Sequence, residues 1–172
     1  MSVTASAVQH LTFLLCEERY ALPLPRVHAV LRHEPITPVP GVPPSIRGVI
    51  SQRGRVVPVV DLAVRFGRPP REATLWTCFL LVQVDIEGEQ TPLAMMVDRV
   101  DSVMEVAEGD VLPPPAFGTA IRADFLRGMA RQDSGLVLLL DVDRVLAHHE
   151  LLAAGALSVQ APPPPGAEEV PV

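Results

Sequence analysis

The sequence predicts an all-β protein made of two similar small units. β-branched and apolar residues fall in short runs punctuated by Gly and Pro, the pattern of strands and tight turns. A set of landmarks occurs twice in the same order. Arg26-Val27 recurs as Arg99-Val100, Val39-Pro40 as Leu112-Pro113, Ile46-Arg47-Gly48-Val49 as Leu126-Arg127-Gly128-Met129, and Val59-Val60-Asp61-Leu62 as Leu139-Leu140-Asp141-Val142. Gly48 precedes Asp61 by thirteen residues, and Gly128 precedes Asp141 by thirteen. The chain of 172 residues is 48% hydrophobic but only 4% aromatic, so the core of either unit must be aliphatic. Units of this size bury little surface alone. They are expected to pack on each other and leave a groove between them.

Taken in order, residues 1–9 are small and polar and read as a flexible N-terminus. Residues 10–16 and 19–24 read as two strands joined at Glu17-Glu18. Residues 26–32 read as a short turn feeding a strand. Pro35, Pro38, Pro40, Pro43 and Pro44 mark a loop, with one helical turn expected at Pro44-Ser45. Residues 46–62 read as a hairpin around Arg53-Gly54-Arg55, and Pro58, which has no N–H to donate, predicts an edge strand or a bulge. A helical turn at 63–67 is expected next, then a charged, Pro-rich connector at 68–73. Residues 74–85 form a nearly continuous apolar strand that returns at 91–97. Residues 100–106 carry apolar residues on both faces, as in a strand covered on both sides. Pro113-Pro114-Pro115 opens a long loop, residues 125–130 and 136–141 form another hairpin, and 143–154 have helical spacing ended by Gly155. The segment 156–172 is rich in Pro and Glu and reads as a disordered tail.

Composition narrows the function. The net charge of −6 argues against a nucleic-acid partner. All fourteen basic residues are arginines, and neither Lys nor Asn occurs, which suggests a source genome rich in G and C. Cys16 and Cys78 lie in apolar runs and read as buried free thiols. They form no metal spacing and no disulfide framework. The five histidines (His10, His28, His33, His148, His149) have no catalytic partners nearby in sequence, and the adjacent His148-His149 would point to different faces of a helix. Asp61 and Asp141 each end an apolar run and suit helix N-caps. The start of the chain lacks a secretory signal pattern, and the longest apolar run, 75–84, is too short to span a bilayer. A cytoplasmic, non-catalytic protein without metal or cofactor is expected.

Residues 46–62 resemble the signature of the CheW-like domain, a Gly-Val-Ile-Asn-Leu-Arg-Gly followed by Val-Pro-Val-Ile-Asp-Leu. The resemblance runs from about Leu11 to His148 and includes Tyr20-Ala-Leu-Pro-Leu, Ile36-Thr-Pro-Val-Pro, Met96-Val-Asp-Arg-Val100, Pro113-Pro-Pro115 and Leu138-Leu-Leu-Asp141. It implies two five-stranded SH3-like β-barrels packed together, with a short C-terminal helix. The domain would span 10–155, with barrel one at about 20–73 and barrel two at about 74–146 plus the first strand. It also implies an adaptor that couples the hairpin tip of chemoreceptors to the regulatory domain of a CheA-type histidine kinase, with other CheW-like domains as further partners. It implies no direct membrane insertion; such a protein would be recruited to receptor arrays.

Carried over residue by residue, the receptor groove would comprise Leu24, Val27, Ala29, Val30, Arg53, Cys78 and Val103. Ser51-Gln52 stands where the family has Asn-Leu, and Ala29 stands where the family has an acid expected to pair with the signature arginine, here Arg53. Those departures favour a divergent coupler that binds one partner only or serves a non-flagellar pathway. A cysteine hydrolase is the contrasting class, disfavoured because neither cysteine has an electropositive context in the sequence. At the place of Arg53 the second repeat has Asp133, so the repeated framework does not itself require the arginine.

Overall fold

The structure is a computed structural model and describes residues 7–86, 88–114, 125–133 and 135–146. Ten strands form two five-stranded antiparallel-dominated sheets: β1 (Ala7–Leu15), β2 (Glu18–Pro23), β3 (Val27–Arg32), β4 (Ile46–Gln52), β5 (Arg55–Asp61), β6 (Cys78–Ile86), β7 (Glu89–Val97), β8 (Arg99–Ala107), β9 (Leu126–Gln132) and β10 (Gly135–Leu140). Two one-turn helices, α1 (Leu62–Arg65) and α2 (Val142–Val145), come directly after β5 and β10. The expected helix beyond residue 146 and the tail lie outside the described residues.

The sheet orders are β3-β6-β7-β5-β4 and β8-β1-β2-β10-β9. They are the same order. In each unit, three strands come from the sequence repeat (β3-β4-β5 and β8-β9-β10) and two from a hairpin inserted beside the first of them. Unit one takes the hairpin that comes after it in the chain, β6-β7; unit two takes the hairpin at the start of the chain, β1-β2. The division of the barrels at the 68–73 connector is therefore corrected. Strands β6 and β7 belong with β3–β5, and the whole first hairpin, not the first strand alone, crosses into unit two. The Pro-rich connector marks a surface crossing within unit one, which composition cannot distinguish from a boundary.

The repeated landmarks close each unit. The segment after β3 meets β4 through paired bonds between Thr37 and Val49, both 2.9 Å; the segment after β8 meets β9 through Leu112 and Met129, at 2.8 and 2.9 Å. Each curled sheet is thus joined at its edges by one bridge and not by a full ladder, an SH3-like closure. The glycines make that closure possible. A Cβ on Gly48 would lie 2.1 Å from the Thr37 carbonyl oxygen, and one on Gly128 2.5 Å from that of Leu112. The repeated aspartates cap the helical turns α1 and α2. Asp61 accepts from the amides of Ala63 and Val64, Asp141 from those of Asp143 and Arg144. Asp61 is buried and also takes Arg47 Nη1 at 2.7 Å, whereas Asp141 is more open and its contact with Arg144 is 3.7 Å.

Several local expectations change. Strand β1 begins at Ala7, because residues 7–9 pair with Ala107, Val106 and Glu105. The first hairpin turns at Cys16-Glu17, both with positive φ. Pro44-Ser45 forms a turn and no helix. Strand β6 starts at Cys78, since Thr74 and Thr77 close a turn in which the Thr74 amide donates to Thr77 Oγ1 at 2.8 Å. Strand β5 is interior, not an edge. Pro58 is tolerated there because Val49, opposite it, turns its own amide and carbonyl to Thr37, and pairing of β5 with β7 begins only at Val59.

The largest apolar cluster lies between the sheets. It joins Leu11, Phe13, Tyr20 and Leu22 of the first hairpin to Leu80, Val82, Leu93 and Met95 of β6-β7. Alternate residues on the same strands face inward into two smaller clusters, one around Phe79, Ala94 and Met96, the other around Ala21, Val137 and Leu139. Each large side chain so buried contributes about 1.5–3 kcal/mol. Gly48→Ala and Gly128→Ala are each expected to cost about 2–4 kcal/mol in urea unfolding, because a methyl would strike a backbone oxygen that already bonds across the closure. Gly54→Ala, which meets no atom within 4 Å, should cost only about 1 kcal/mol through its φ of +79°.

Candidate functional site

Strands β3 and β8 occupy the same place in the two units, at one end of each sheet order. Each carries a bulge at the matching position. Val27 pairs Val82 and Ala29 pairs Leu81, leaving His28 extra; Val100 pairs Phe13 and Ser102 pairs Thr12, leaving Asp101 extra. The extra residue reverses the alternation. On β3 it puts Val27 and Val30 on the side of Val82 and Leu80; on β8 it puts Val100 and Val103 on the side of Phe13 and Leu11. All four of those partners belong to the core between the sheets. Val30 and Val103 are matching residues of the two repeats, 45% and 48% exposed. They stand above the seam on opposite strands.

Two contacts show how the strands run relative to each other. Near the start of β3, Leu24 and Pro25 share a cavity of about 610 Å³ with Ala7, Val8, Gln9 and Glu105, which brings them to the far end of β8. Near the end of β3, the His33 amide donates to Thr77 O at 3.2 Å, and the neighbouring Trp76 ring lies under the Arg99 guanidinium, 4.9 Å from its centroid, at the start of β8. The strands therefore form two antiparallel walls over an apolar floor. A six-residue wall is about 20 Å long.

Five predicted residues gather here. Leu24, Val27 and Cys78 are half-buried against the inter-sheet core, and Val30 extends the same face. Val103 lies on the opposite wall. Ala29 does not join them: it pairs with Leu81, whose side chain packs into the interior of unit one. Arg53 is on neither wall. It occupies the β4–β5 turn with φ of +54°, followed by Gly54 at +79°, a two-residue type I′ turn. None of the ion pairs or side-chain hydrogen bonds between described residues involves it. The groove residues that sequence reasoning missed are Trp76, Arg99, Val100 and Glu105. Matching Arg26-Val27 to Arg99-Val100 and reading on along both strands would have found the last three.

Electrostatics stiffen the rim. Arg26 holds Asp143 of α2 at 3.1 Å and the Gln83 carbonyl at 3.2 Å, tying the mouth of β3 to unit two. Asp101, the bulged residue of β8, meets Arg19 at 3.4 Å. Strand β8 is an edge with one open face, not a strand covered twice; only Val106 on it is fully buried. The cysteines also differ from expectation. Both are half-exposed. Cys16 has its amide 2.9 Å from Asp98 Oδ2, and Asp98 in turn meets Arg71 at 3.5 Å, so its setting is more polar than its apolar neighbours suggest. Among the described residues no group of three or more His, Cys, Asp or Glu is placed to hold a metal, and no helix is long and apolar enough to cross a membrane.

The fold is a pair of pseudo-symmetric SH3-like sheets with an apolar, wall-lined seam between them. Comparison with known proteins agrees. Residues 9–150 match the CheW-like domain family. The chain is 30% identical over 153 residues to the chemotaxis protein CheW of Treponema pallidum, covering 88% of this chain and 89% of that protein. It is 34% identical over 119 residues to Protein FrzA of Myxococcus xanthus, covering 69% and 71%. The crystal structure of the CheW scaffolding protein of Thermoanaerobacter tengcongensis superposes with a TM-score of 0.74 at 29% identity, over 87% of this chain and 94% of that one. The chain belongs to the CheW-like family.

Behind the β8 wall, His10 pairs with Met104 and is 2% exposed. Its Nδ1 lies 2.9 Å from the Val8 carbonyl, and Nε2 has no hydrogen-bond partner among the described residues. Burial, with a smaller contribution from the Arg127 charge, pushes its pKa below the ordinary 6.5. The folded state therefore resists a proton that the unfolded chain accepts. Stability should be level above about pH 6.5 and fall as the pH drops below it. Urea midpoints measured from pH 5 to 8 should show this decline in the native protein and a shallower one in His10→Gln.

Proposed function

We propose that this protein is a non-catalytic adaptor that couples chemoreceptors to a CheA-type histidine kinase in bacterial chemosensory signalling. The observation that carries this reading is the seam between the two units. A groove about 20 Å long with valines on both walls suits the apolar tip of a helical hairpin, and its charged rim suits orientation more than chemistry. Family membership supports the coupling role, and the solved relative is itself a scaffolding protein. The kinase-facing surface would lie elsewhere on the barrels, leaving the seam free, and the protein would work in the cytoplasm at receptor arrays. Arg53, exposed on a rigid turn outside the groove, would add a hydrogen-bonding anchor to the receptor contact.

A second reading is a divergent coupler that serves a separate, non-flagellar chemosensory pathway or binds only one of the two partners. The likeness to Protein FrzA beside the CheW relatives supports it.

Purified protein mixed with a receptor hairpin fragment, with a CheA regulatory domain, and with both separates these readings. A ternary complex supports the first; a single binary complex supports the second. Val30→Glu and Val103→Glu each place a carboxylate over the apolar floor and should weaken receptor binding tenfold or more, about 1.4 kcal/mol. Kinase binding and the melting temperature should change little, since both side chains are half-exposed. Arg53→Glu should weaken receptor binding without altering stability; an unfolded product or an equal loss of kinase binding would show a structural residue instead.

A further inference from the structure

The two ends of the groove are not alike, although the units that form it are. Strand pairing equates Ala7 with Trp76: Leu11 pairs Val103 as Leu80 pairs Val30, and four residues before each lie Ala7 and Trp76. At the Ala7 end the small side chain leaves the cavity that Leu24, Pro25 and Glu105 share. At the other end Trp76 stands in the equivalent position, its ring under Arg99.

The Trp76 end is built. The Thr74 amide donates to Thr77 Oγ1 at 2.8 Å, and the Trp76 amide to Thr74 Oγ1 at 3.1 Å. Cys78 Sγ lies 3.2 Å from the Trp76 carbonyl. This turn holds Leu75 and Trp76 outward, 96% and 60% exposed. Trp76 is the single tryptophan of the chain. Two exposed arginines flank it, Arg32 at the end of one wall and Arg99 at the start of the other, whereas the open end carries Glu105 and Arg26, the latter already held by Asp143.

We infer that the groove is directional and that Leu75 and Trp76 form its end stop, packing against the terminal turn of a partner helix that has an acidic residue beside its apolar face. This rests on the seam being the receptor-binding groove. Three features specify the occupant. The bulges at His28 and Asp101 break the ladder that an added strand would need, so the groove takes a helix. Its length fits about 13 helical residues. Arginines with no ion-pair partner among the described residues at one end, against a glutamate and an already paired Arg26 at the other, set which way the helix lies, with its carboxylate against Arg32 and Arg99. An exposed indole with a guanidinium stacked on it is a ready anchor once a partner excludes water from it.

Because Trp76 is alone, its fluorescence reads the proposal directly. The full chain is titrated with a purified chemoreceptor hairpin fragment, and affinity is measured in parallel by calorimetry. The expected result is a blue shift of Trp76 emission that saturates with the calorimetric binding curve. Trp76→Ala and Arg99→Ala should each weaken binding about tenfold, and Leu75→Ala, which keeps the fluorophore, severalfold, with melting temperatures unchanged. Glu105→Arg, at the other end, should also weaken binding if the helix lies as stated, by opposing the same polarity less strongly, about two- to threefold. Binding that Val103→Glu abolishes, but that leaves the emission unmoved and Trp76→Ala at native affinity, would overturn the end stop while leaving the groove intact. Failure of the native protein to bind the fragment would overturn both.

Discussion

The structure depends on one layer of apolar side chains shared by two small sheets. Neither unit has a large interior: one is filled by Phe79, Ala94, Met96 and a few valines and isoleucines, the other mainly by small and aliphatic residues such as Ala21, Ala130 and Leu139. The bulk that each lacks lies outside it, in Phe13, Tyr20, Leu80, Leu93 and Met95. The hairpins β1-β2 and β6-β7 are therefore buried on both faces, inward to their own unit and outward to the other. The exchange of the first hairpin into unit two makes this possible, because it gives each unit a two-stranded surface to press against its counterpart. Side chains from the helical turns reinforce the layer: Phe66 packs between Tyr20 and Phe125, and Arg65 donates to the Val145 carbonyl at 2.7 Å.

The groove is a consequence of that layer. Where the shared core ends, β3 and β8 lie beyond it with one face over apolar floor and the other over their own interiors. An edge strand with exposed valines would be an aggregation hazard if its ladder were regular. The matching bulges at His28 and Asp101 remove that hazard and at the same time aim Val27, Val30, Val100 and Val103 toward the seam. One local device thus protects the edge and builds the walls. The asymmetry came from elsewhere, in the turn that carries Trp76, where the units differ in sequence.

Much of the fold was legible in the residues because the repeat is physical. Gly48 and Gly128 are required by a carbonyl oxygen that leaves no room for a side chain, and Asp61 and Asp141 by amides that need a cap. Pairs like these keep their spacing because the closure they serve has fixed dimensions. Less was legible in the site. Ala29 was carried over with Val27 and Val30 from the family pattern, but the bulge at His28 turns it to the barrel interior. Cys78 and Val103 lie beside the seam, whereas Trp76 read as one more residue in an apolar run.

The order of residues alone sets the class of fold, the two-unit repeat, the family, and the glycines and aspartates that close each unit. These are local requirements, fixed by backbone space, missing hydrogen-bond partners and short-range spacing. Folding in three dimensions settles which hairpin serves which unit, which face of β3 and β8 looks over the seam, and that Trp76 stands at one end of the groove and not at the other. Those outcomes depend on strand pairings between residues distant in sequence and on single-residue bulges that reverse alternation. A linear pattern records the side chains involved but not the register in which they meet.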